Sequence, residues 1–321
     1  MNIFLTGGTG FIGSYVAMEL ARLGHQVTIL ARNANKVPEL KKIPQFEIVE
    51  GDITDTKLLE RLVRGQDVCI LVALNYTKKT GWEVLQDDTF PTVFIADIAA
   101  GSGVKQLIYT SSTSVNDSLY RGGAAEMDPA LRVVTASTKQ RPATFYGATK
   151  ASSENYLLAQ SYHSSMRVNI IRPGYTFGNP VVPGASTEGD ARFQAIVRAA
   201  LAGQPIRVVR NDGTQFIWAG DLARVYSAVL DSQVNRKTYF GLSKGFISWE
   251  AIAGEAVRRC GSHSPIEVEE RGWSPDGLTW DVSDIKKDFG LEFDGWVKIG
   301  EHLEFYLSLE KDGAMPLDLR T

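Results

Sequence analysis

Three stretches of this chain bring together residue types that can do chemistry. In Thr6-Gly7-Gly8-Thr9-Gly10-Phe11-Ile12-Gly13, the glycines Gly7, Gly10 and Gly13 recur at intervals of three between an apolar run and a helical pattern. The first permits a tight turn, the second lets the backbone approach a pyrophosphate, and the third lets a helix pack close to a strand. A helix starting there turns unpaired N–H groups and the positive end of its dipole toward phosphate. In this strand–turn–helix setting the spacing predicts dinucleotide binding, with Phe11 and Ile12 beside the phosphates.

The second stretch, Tyr146-Gly147-Ala148-Thr149-Lys150, sets a phenol and an ammonium one helical turn apart on one face. Such a pair arises readily by chance, so its meaning comes from its neighbours. The third stretch supplies them: Ser111-Ser112-Thr113-Ser114-Val115 follows the apolar run 106–110. That is a hydroxyl-rich tip, opening at Thr110, at the carboxyl end of a predicted parallel strand, where doubly wound sheets place their ligands.

The residues after the second predicted strand bear on the choice of cofactor. An NAD site ordinarily has a carboxylate there for the ribose 2′-hydroxyl, but this chain has Ala31-Arg32-Asn33 with Lys36 one turn on. A cation pairs with a 2′-phosphate that a carboxylate would repel, so NADP is expected, with NAD as the alternative. If Arg32 and Lys36 are simply solvated, the preference is lax. Asp52, in Gly51-Asp52-Ile53, is placed either to accept from the adenine amino group, with Ile53 on the ring face, or to close a turn.

The elements that must position these residues follow from periodicity. Near-continuous apolar runs at 2–6, 26–31, 46–50, 68–74, 106–110 and 168–172 read as strands covered on both faces. Helical patterns lie between them, including 11–23, stopped by Gly24, and 146–162. This alternation predicts an α/β fold, a doubly wound parallel (Rossmann) sheet over residues 1–175. Beyond Pro173 the texture turns Gly/Pro-rich. Short strands are expected at 206–210, 216–218 and 238–242, with helices at 191–202, 222–230, 248–260, 284–288 and 296–311. This second part, 176–321, reads as a smaller mixed α/β substrate lobe, with 216–242 rejoining the first.

Composition bounds the function. In 321 residues, 34 Lys plus Arg against 37 Asp plus Glu give a net charge of −3, so neither nucleic acid nor an anionic membrane surface is an expected partner. No apolar run approaches the roughly 18 residues of a membrane helix. Cys69 and Cys260 fit neither a disulfide framework nor a metal spacing and read as buried small hydrophobes. The four histidines form no HxxxH pair, and no metal site is expected. A protein of a reducing, cytoplasmic compartment is expected.

Taken in order, TGGTGFIG, the tip Ser111–Val115, YxxxK and Arg172-Pro173-Gly174 resemble the extended short-chain dehydrogenases/reductases, the group also labelled NAD-dependent epimerase/dehydratase. The resemblance covers the first 180 residues and extends to Trp218–Asp221. It implies that Tyr146 is the general acid or base at a substrate oxygen. A phenol ordinarily titrates near pH 10, so work near neutrality needs a cation beside it. Lys150 would supply that charge and bind the nicotinamide ribose, and Ser112 would hydrogen-bond the same substrate oxygen. Ala73 and Leu74 would line the cofactor path, and Pro173, Gly174, Tyr175 and Thr176 would support the nicotinamide end. A homodimer through first-domain helices, including the one bearing Tyr146, is also implied.

Several departures narrow this picture. Family dehydratases carry Asp-Glu after the catalytic hydroxyl residue, where this chain has Thr113-Ser114, which argues against dehydration. The usual Tyr-Gly is Asn116-Asp117, and an Asn common before the fifth strand is Asp88. The stretch 119–144, with Arg121, Arg132 and Arg141, is long enough to cover the substrate or to be solvated surface. The segment 211–221 lacks the diphosphate-clamping arginine of nucleotide-sugar enzymes. Arg192, Arg207 and Arg210 are the substitutes, unless salt bridges claim them, and Asp221 is expected as a helix N-cap. The leading expectation is an NADP-dependent reductase or dehydrogenase acting on a carbonyl or alcohol of a small organic molecule. The alternatives are an NAD-dependent nucleotide-sugar epimerase and a dinucleotide-sensing regulator without turnover.

Overall fold

The computed structural model describes residues 1–74, 80–121, 132–273 and 278–311, without the side chains of residues 120 and 121. Seven parallel strands form the central sheet: β1 (Asn2–Thr6), β2 (Gln26–Ala31), β3 (Phe46–Glu50), β4 (Val68–Leu71), β5 (Gln106–Thr110), β6 (Arg167–Pro173) and β7 (Thr238–Gly241). Their order is β7-β6-β5-β4-β1-β2-β3, so the winding reverses between β1 and β4. The crevice outside the strand ends at such a reversal is where open α/β sheets bind ligands.

Alternation along each strand feeds two cores. Ile3, Leu5, Val27 and Ile29 face helices α1 (Phe11–Arg22) and α6 (Ala219–Asp231), meeting Val16, Leu20, Val225 and Val229. Phe4, Leu107, Tyr109 and Val168 face the opposite layer: α2 (Thr56–Val63), α3 (Phe90–Gly101) and α4 (Phe145–His163), through Leu59, Ile95, Ala99 and Leu157. Asp55 caps α2 by accepting from the Leu58 amide at 3.1 Å. Losing such a cap costs about 1 kcal/mol.

A third core lies beyond the sheet. Helices α5 (Arg192–Leu201), α7 (Trp249–Cys260) and α8 (Gly295–Lys311) bury Phe193, Val197, Trp249, Ile252, Ile299 and Leu303 with Phe177 and Phe216. Parallel strands Ile206–Val209 and Ile266–Glu269 flank them. Within this layer His302 is fully buried, its ring nitrogens 2.7 Å from Asn179 Oδ1 and 2.8 Å from Glu188 Oε1. Cys69 is buried and Cys260 is only half-buried, which corrects the expectation for the latter. Among the described residues no helix is long and apolar enough to cross a membrane.

Candidate active site

A groove of about 680 Å³ opens at the carboxyl ends of the strands. Each strand exit contributes: Gly7, Gly10, Phe11, Ile12 and Gly13 after β1, Arg32, Asn33 and Lys36 after β2, and Asp52 and Ile53 after β3. Ala73 and Leu74 follow β4, Thr110 and Ser112 lie at the tip of β5, and Pro173 and Gly174 end β6, while α4 adds Tyr146 and Lys150. Thr9, Thr54, Asp87 and Ser111 also line the groove and were not singled out from sequence. Thr9 and Ser111 sit inside motifs already recognised, which was the available signal.

Thr176 and Tyr175 do not line this groove. Thr176–Phe177 pairs in parallel with Ile217–Trp218, and the Tyr175 ring packs edge-on against Phe193, Phe216 and Trp249. The chain therefore turns away from the groove directly after Gly174. Phe193 and Trp218 belong to the same aromatic layer.

The glycine loop is shaped by close approach. Gly7 has φ +75°, and a Cβ there would lie 2.7 Å from the Ala73 backbone. At Gly13 a Cβ would fall 2.0 Å from the Gly7 carbonyl oxygen. Thr6 Oγ1 accepts from the Val72 and Ala73 amides at 3.2 Å each, holding the β4 exit against the loop and ending that strand at Leu71. Helix α1 opens on Gly10 without a side-chain cap, so its first-turn amides stay directed at the groove. These features fit a dinucleotide pyrophosphate.

At the far end, Arg32 is exposed on the groove wall and Lys36 Nζ donates to Ser186 Oγ at 3.1 Å. Ala185 packs on Val37 and Leu40, so the segment around 185 backs this end of the groove. Asp52 Oδ1 accepts from the Thr54 amide at 2.9 Å and its hydroxyl at 2.6 Å. The aspartate closes a turn while its residue still lines the groove.

At the other end, Lys150 is buried with Asp88, Nζ standing 3.4 Å from Oδ1 and 3.1 Å from Oδ2. The ammonium also lies 4.9 Å from the centre of the Tyr109 ring and 6.0 Å from that of Tyr146. Burial alone would push the Lys150 ammonium down, but the Asp88 carboxylate, helped by Tyr109 and Tyr146, more than offsets this and holds it above its ordinary range. Ser112 Oγ accepts from the Ser114 amide at 3.1 Å, capping the short turn Thr113–Asn116. Ser111 Oγ is buried in the groove wall without a hydrogen-bond partner among the described residues.

The departures Asn116-Asp117 have a structural role that sequence reasoning missed. Asn116 Nδ2 donates to the Lys139 carbonyl at 2.8 Å, and Asp117 accepts from the Ala143 amide and, at 2.5 Å, from the Thr144 hydroxyl. Thr144 in turn caps α4 through the Gly147 amide at 3.0 Å. A Cβ on Gly147 would meet the Ser114 carbonyl oxygen at 2.2 Å. The start of α4 is thus clasped against the Ser112 turn, and Tyr146 shares its groove wall with Ser112.

The arginines considered for a substrate diphosphate are engaged elsewhere. Arg192 pairs with Asp212 at 3.1 Å and lies over Trp249, Arg207 pairs with Glu267 at 3.0 Å, and Arg210 with Glu250 at 2.6 Å and Glu270 at 3.1 Å. Arg132 and Arg141 are exposed and do not line the groove. Residues 122–131 of the expected cover lie outside the described residues. Asp221 is not the cap of α6: the helix starts one turn earlier on Trp218, and Asp221, in its first turn, pairs with Arg224 at 3.5 Å.

The chain belongs to the NAD dependent epimerase/dehydratase family, whose sequence model matches residues 3–240. It is 25% identical over 316 residues to the uncharacterized protein YLL056C of Saccharomyces cerevisiae, covering 91% of this chain and 100% of that one. It is 26% identical over 277 residues to a 3 beta-hydroxysteroid dehydrogenase/Delta 5→4-isomerase of Mycobacterium tuberculosis, covering 82% and 70%. The fold matches the crystal structure of UDP-glucuronic acid 4-epimerase from Bacillus cereus in complex with NAD, with TM-score 0.79 and 18% identity over 98% and 100% of the two chains. The resemblance read from the motifs and the doubly wound fold are therefore both established.

Proposed function

We propose that this chain is an oxidoreductase that transfers hydride between NADP(H) and a carbonyl or alcohol carbon of a small organic substrate. One observation carries the reading: Ser112 at the tip of β5 and Tyr146 and Lys150 on α4, from two distant stretches, line the same groove as the glycine loop. Residues 1–175, rejoined near 216–242, are assigned to the dinucleotide, and the remainder of 176–321 to the substrate. Gly7, Gly10 and Gly13 with the first turn of α1 hold the pyrophosphate. Arg32 and Lys36 take the 2′-phosphate, and Asp52 and Ile53 face the adenine. When bound, the nicotinamide ring supplies the hydride acceptor or donor.

The protein's own groups handle the proton. Tyr146 takes it from the substrate hydroxyl in oxidation and returns it to the carbonyl oxygen in reduction. Ser112 hydrogen-bonds the same oxygen, and Lys150 places its positive charge beside the phenol. A homodimer through the face of α4 that leaves Tyr156 and Tyr162 exposed extends the same reading.

The second reading is an epimerase using NAD, favoured by the name of the Bacillus cereus neighbour. The pairing of Arg192, Arg207 and Arg210 with carboxylates supports the reductase instead, because a sugar diphosphate needs a cation to clamp it. The test is NADPH consumption across a panel of ketones and aldehydes, run beside nucleotide sugars. Net oxidation of NADPH, abolished by Tyr146→Phe, is expected. Redox-neutral interconversion of a nucleotide sugar would replace this reading with the epimerase, and binding without turnover would replace it with a regulator.

A further inference from the structure

Between the turn Gly81–Val84 and α3 the chain runs through a π-helical turn, Leu85–Thr89. A π-turn inserts one residue into a helix and rotates the side chains around it, and such turns gather at functional sites. Here it buries two polar residues against α4. Thr89 Oγ1 donates to the Thr149 carbonyl at 3.3 Å and accepts from Ser153 Oγ at 3.2 Å. One residue earlier, Asp88 meets Lys150, with side-chain exposures of 6% and 3%. The charge of Asp88 is therefore delivered to Lys150 by a local distortion fastened to α4 through Thr89.

A buried ion pair is weak evidence for stability, since desolvation consumes most of the attraction. Its effect on the field in the groove is another matter. An isolated ammonium repels a second positive charge strongly in a low-dielectric wall. A carboxylate 3.1 Å from Nζ turns that monopole into a dipole. The oxidised nicotinamide ring is a cation and the reduced ring is neutral, so only the oxidised form feels the difference. The other groups facing Lys150 are Tyr109 from β5 and Tyr146 from its own helix, with Tyr226 of α6 held at 2.6 Å by Thr110. None is a second carboxylate. Asp87 lines the groove beside Asp88 in the chain.

We infer that Asp88 is a positioning residue that pins the Lys150 ammonium and offsets its field toward the nicotinamide end, leaving the ammonium charged beside Tyr146, so that the groove accepts the oxidised nicotinamide with little electrostatic penalty. The inference rests on the dinucleotide reading above. Its consequence is a ratio, Kd of NADP⁺ over Kd of NADPH, that depends on the charge at position 88 and not on its packing.

Both constants are measured by titration calorimetry on the full chain, for the wild type and for Asp88→Asn, Asp88→Ser, Asp88→Glu and Asp88→Asn/Lys150→Met. Asp88→Asn raises the ratio by about fivefold, with Asp88→Ser doing the same should the amide misfold. Asp88→Glu stays within about twofold of wild type, and the double variant, neutral at both positions, returns toward it. Equal weakening of both forms by Asp88→Asn and Asp88→Ser would reduce Asp88 to a packing role and overturn the inference. Failure of the wild type to bind either NADP(H) or NAD(H) would instead remove the dinucleotide reading beneath it.

Discussion

The groove at the strand ends and the helical layer behind it use polar residues in opposite ways. Around the groove, donors are left facing inward: the uncapped amides at the start of α1, the Ser111 hydroxyl in the wall, and Arg32 exposed beside the second strand exit. In the rear layer, cations are matched with anions of the same layer. Arg258 and Arg259 both reach Glu255, Arg198 reaches Glu310, and Arg210 is shared by Glu250 and Glu270. On the proposed reading, electrostatic capacity is thus kept for the dinucleotide and withheld from the part assigned to the substrate. A substrate recognised by shape and by one oxygen fits that division better than one recognised by charge.

The contrast breaks most severely at the glycine loop. Gly13→Val is expected to cost at least about 100-fold in dinucleotide affinity by fluorescence titration, because its Cβ cannot avoid the Gly7 carbonyl 2.0 Å away. Retained affinity would mean that the loop does not cradle phosphate. Tyr146→Phe should lower turnover by about 1000-fold while leaving dinucleotide affinity within about threefold, measured on any substrate the carbonyl panel yields. A parallel loss of binding would make the phenol a structural contact.

Effects at the adenosine end are more modest. Arg32→Ala should weaken NADP binding by about tenfold and NAD binding by less than about twofold, and equal losses would remove the 2′-phosphate assignment. In the rear layer a change should touch stability alone. Arg258 and Arg259 hold the Glu255 carboxyl down from 4.5 to about 2. The folded protein therefore resists protonating it, and unfolding takes up a proton as pH falls below 4.5. The stabilisation is complete above that value and drains away toward pH 2. Glu255→Gln should accordingly lower the melting midpoint slightly at pH 7, with the gap to wild type narrowing in acid. A gap that stayed constant with pH would show that the ion pair contributes nothing.

How much of this was readable beforehand follows the same division. Strands β1, β2, β3 and β5 fall at their expected limits because their apolar runs end in glycine or polar residues, although β3, at the sheet edge, exposes Glu47 and Glu50. Strand β4 stops at Leu71, short of the expected 74, since Thr6 Oγ1 takes the Val72 and Ala73 amides, a tertiary contact no local pattern carries. Helix α2 was overlooked, although Asp55 before Leu58, Leu59 and Leu62 was an available cap-and-stripe signal. The π-turn has no periodicity to betray it, so Asp88 showed only as a departure from an expected amide. The course of the chain at Tyr175 and Thr176 is set by pairing with Ile217–Trp218, about forty residues away, which no local pattern carries.

The clasp made by Asn116, Asp117 and Thr144 has a consequence for how such a chain can diversify. It ties residues 116–117, just after the third motif, to residues 139–144, just before α4, so the placement of the phenol leans on these contacts at the two ends of the excursion. Exposed side chains of that excursion can therefore be exchanged while the reacting groups keep their geometry.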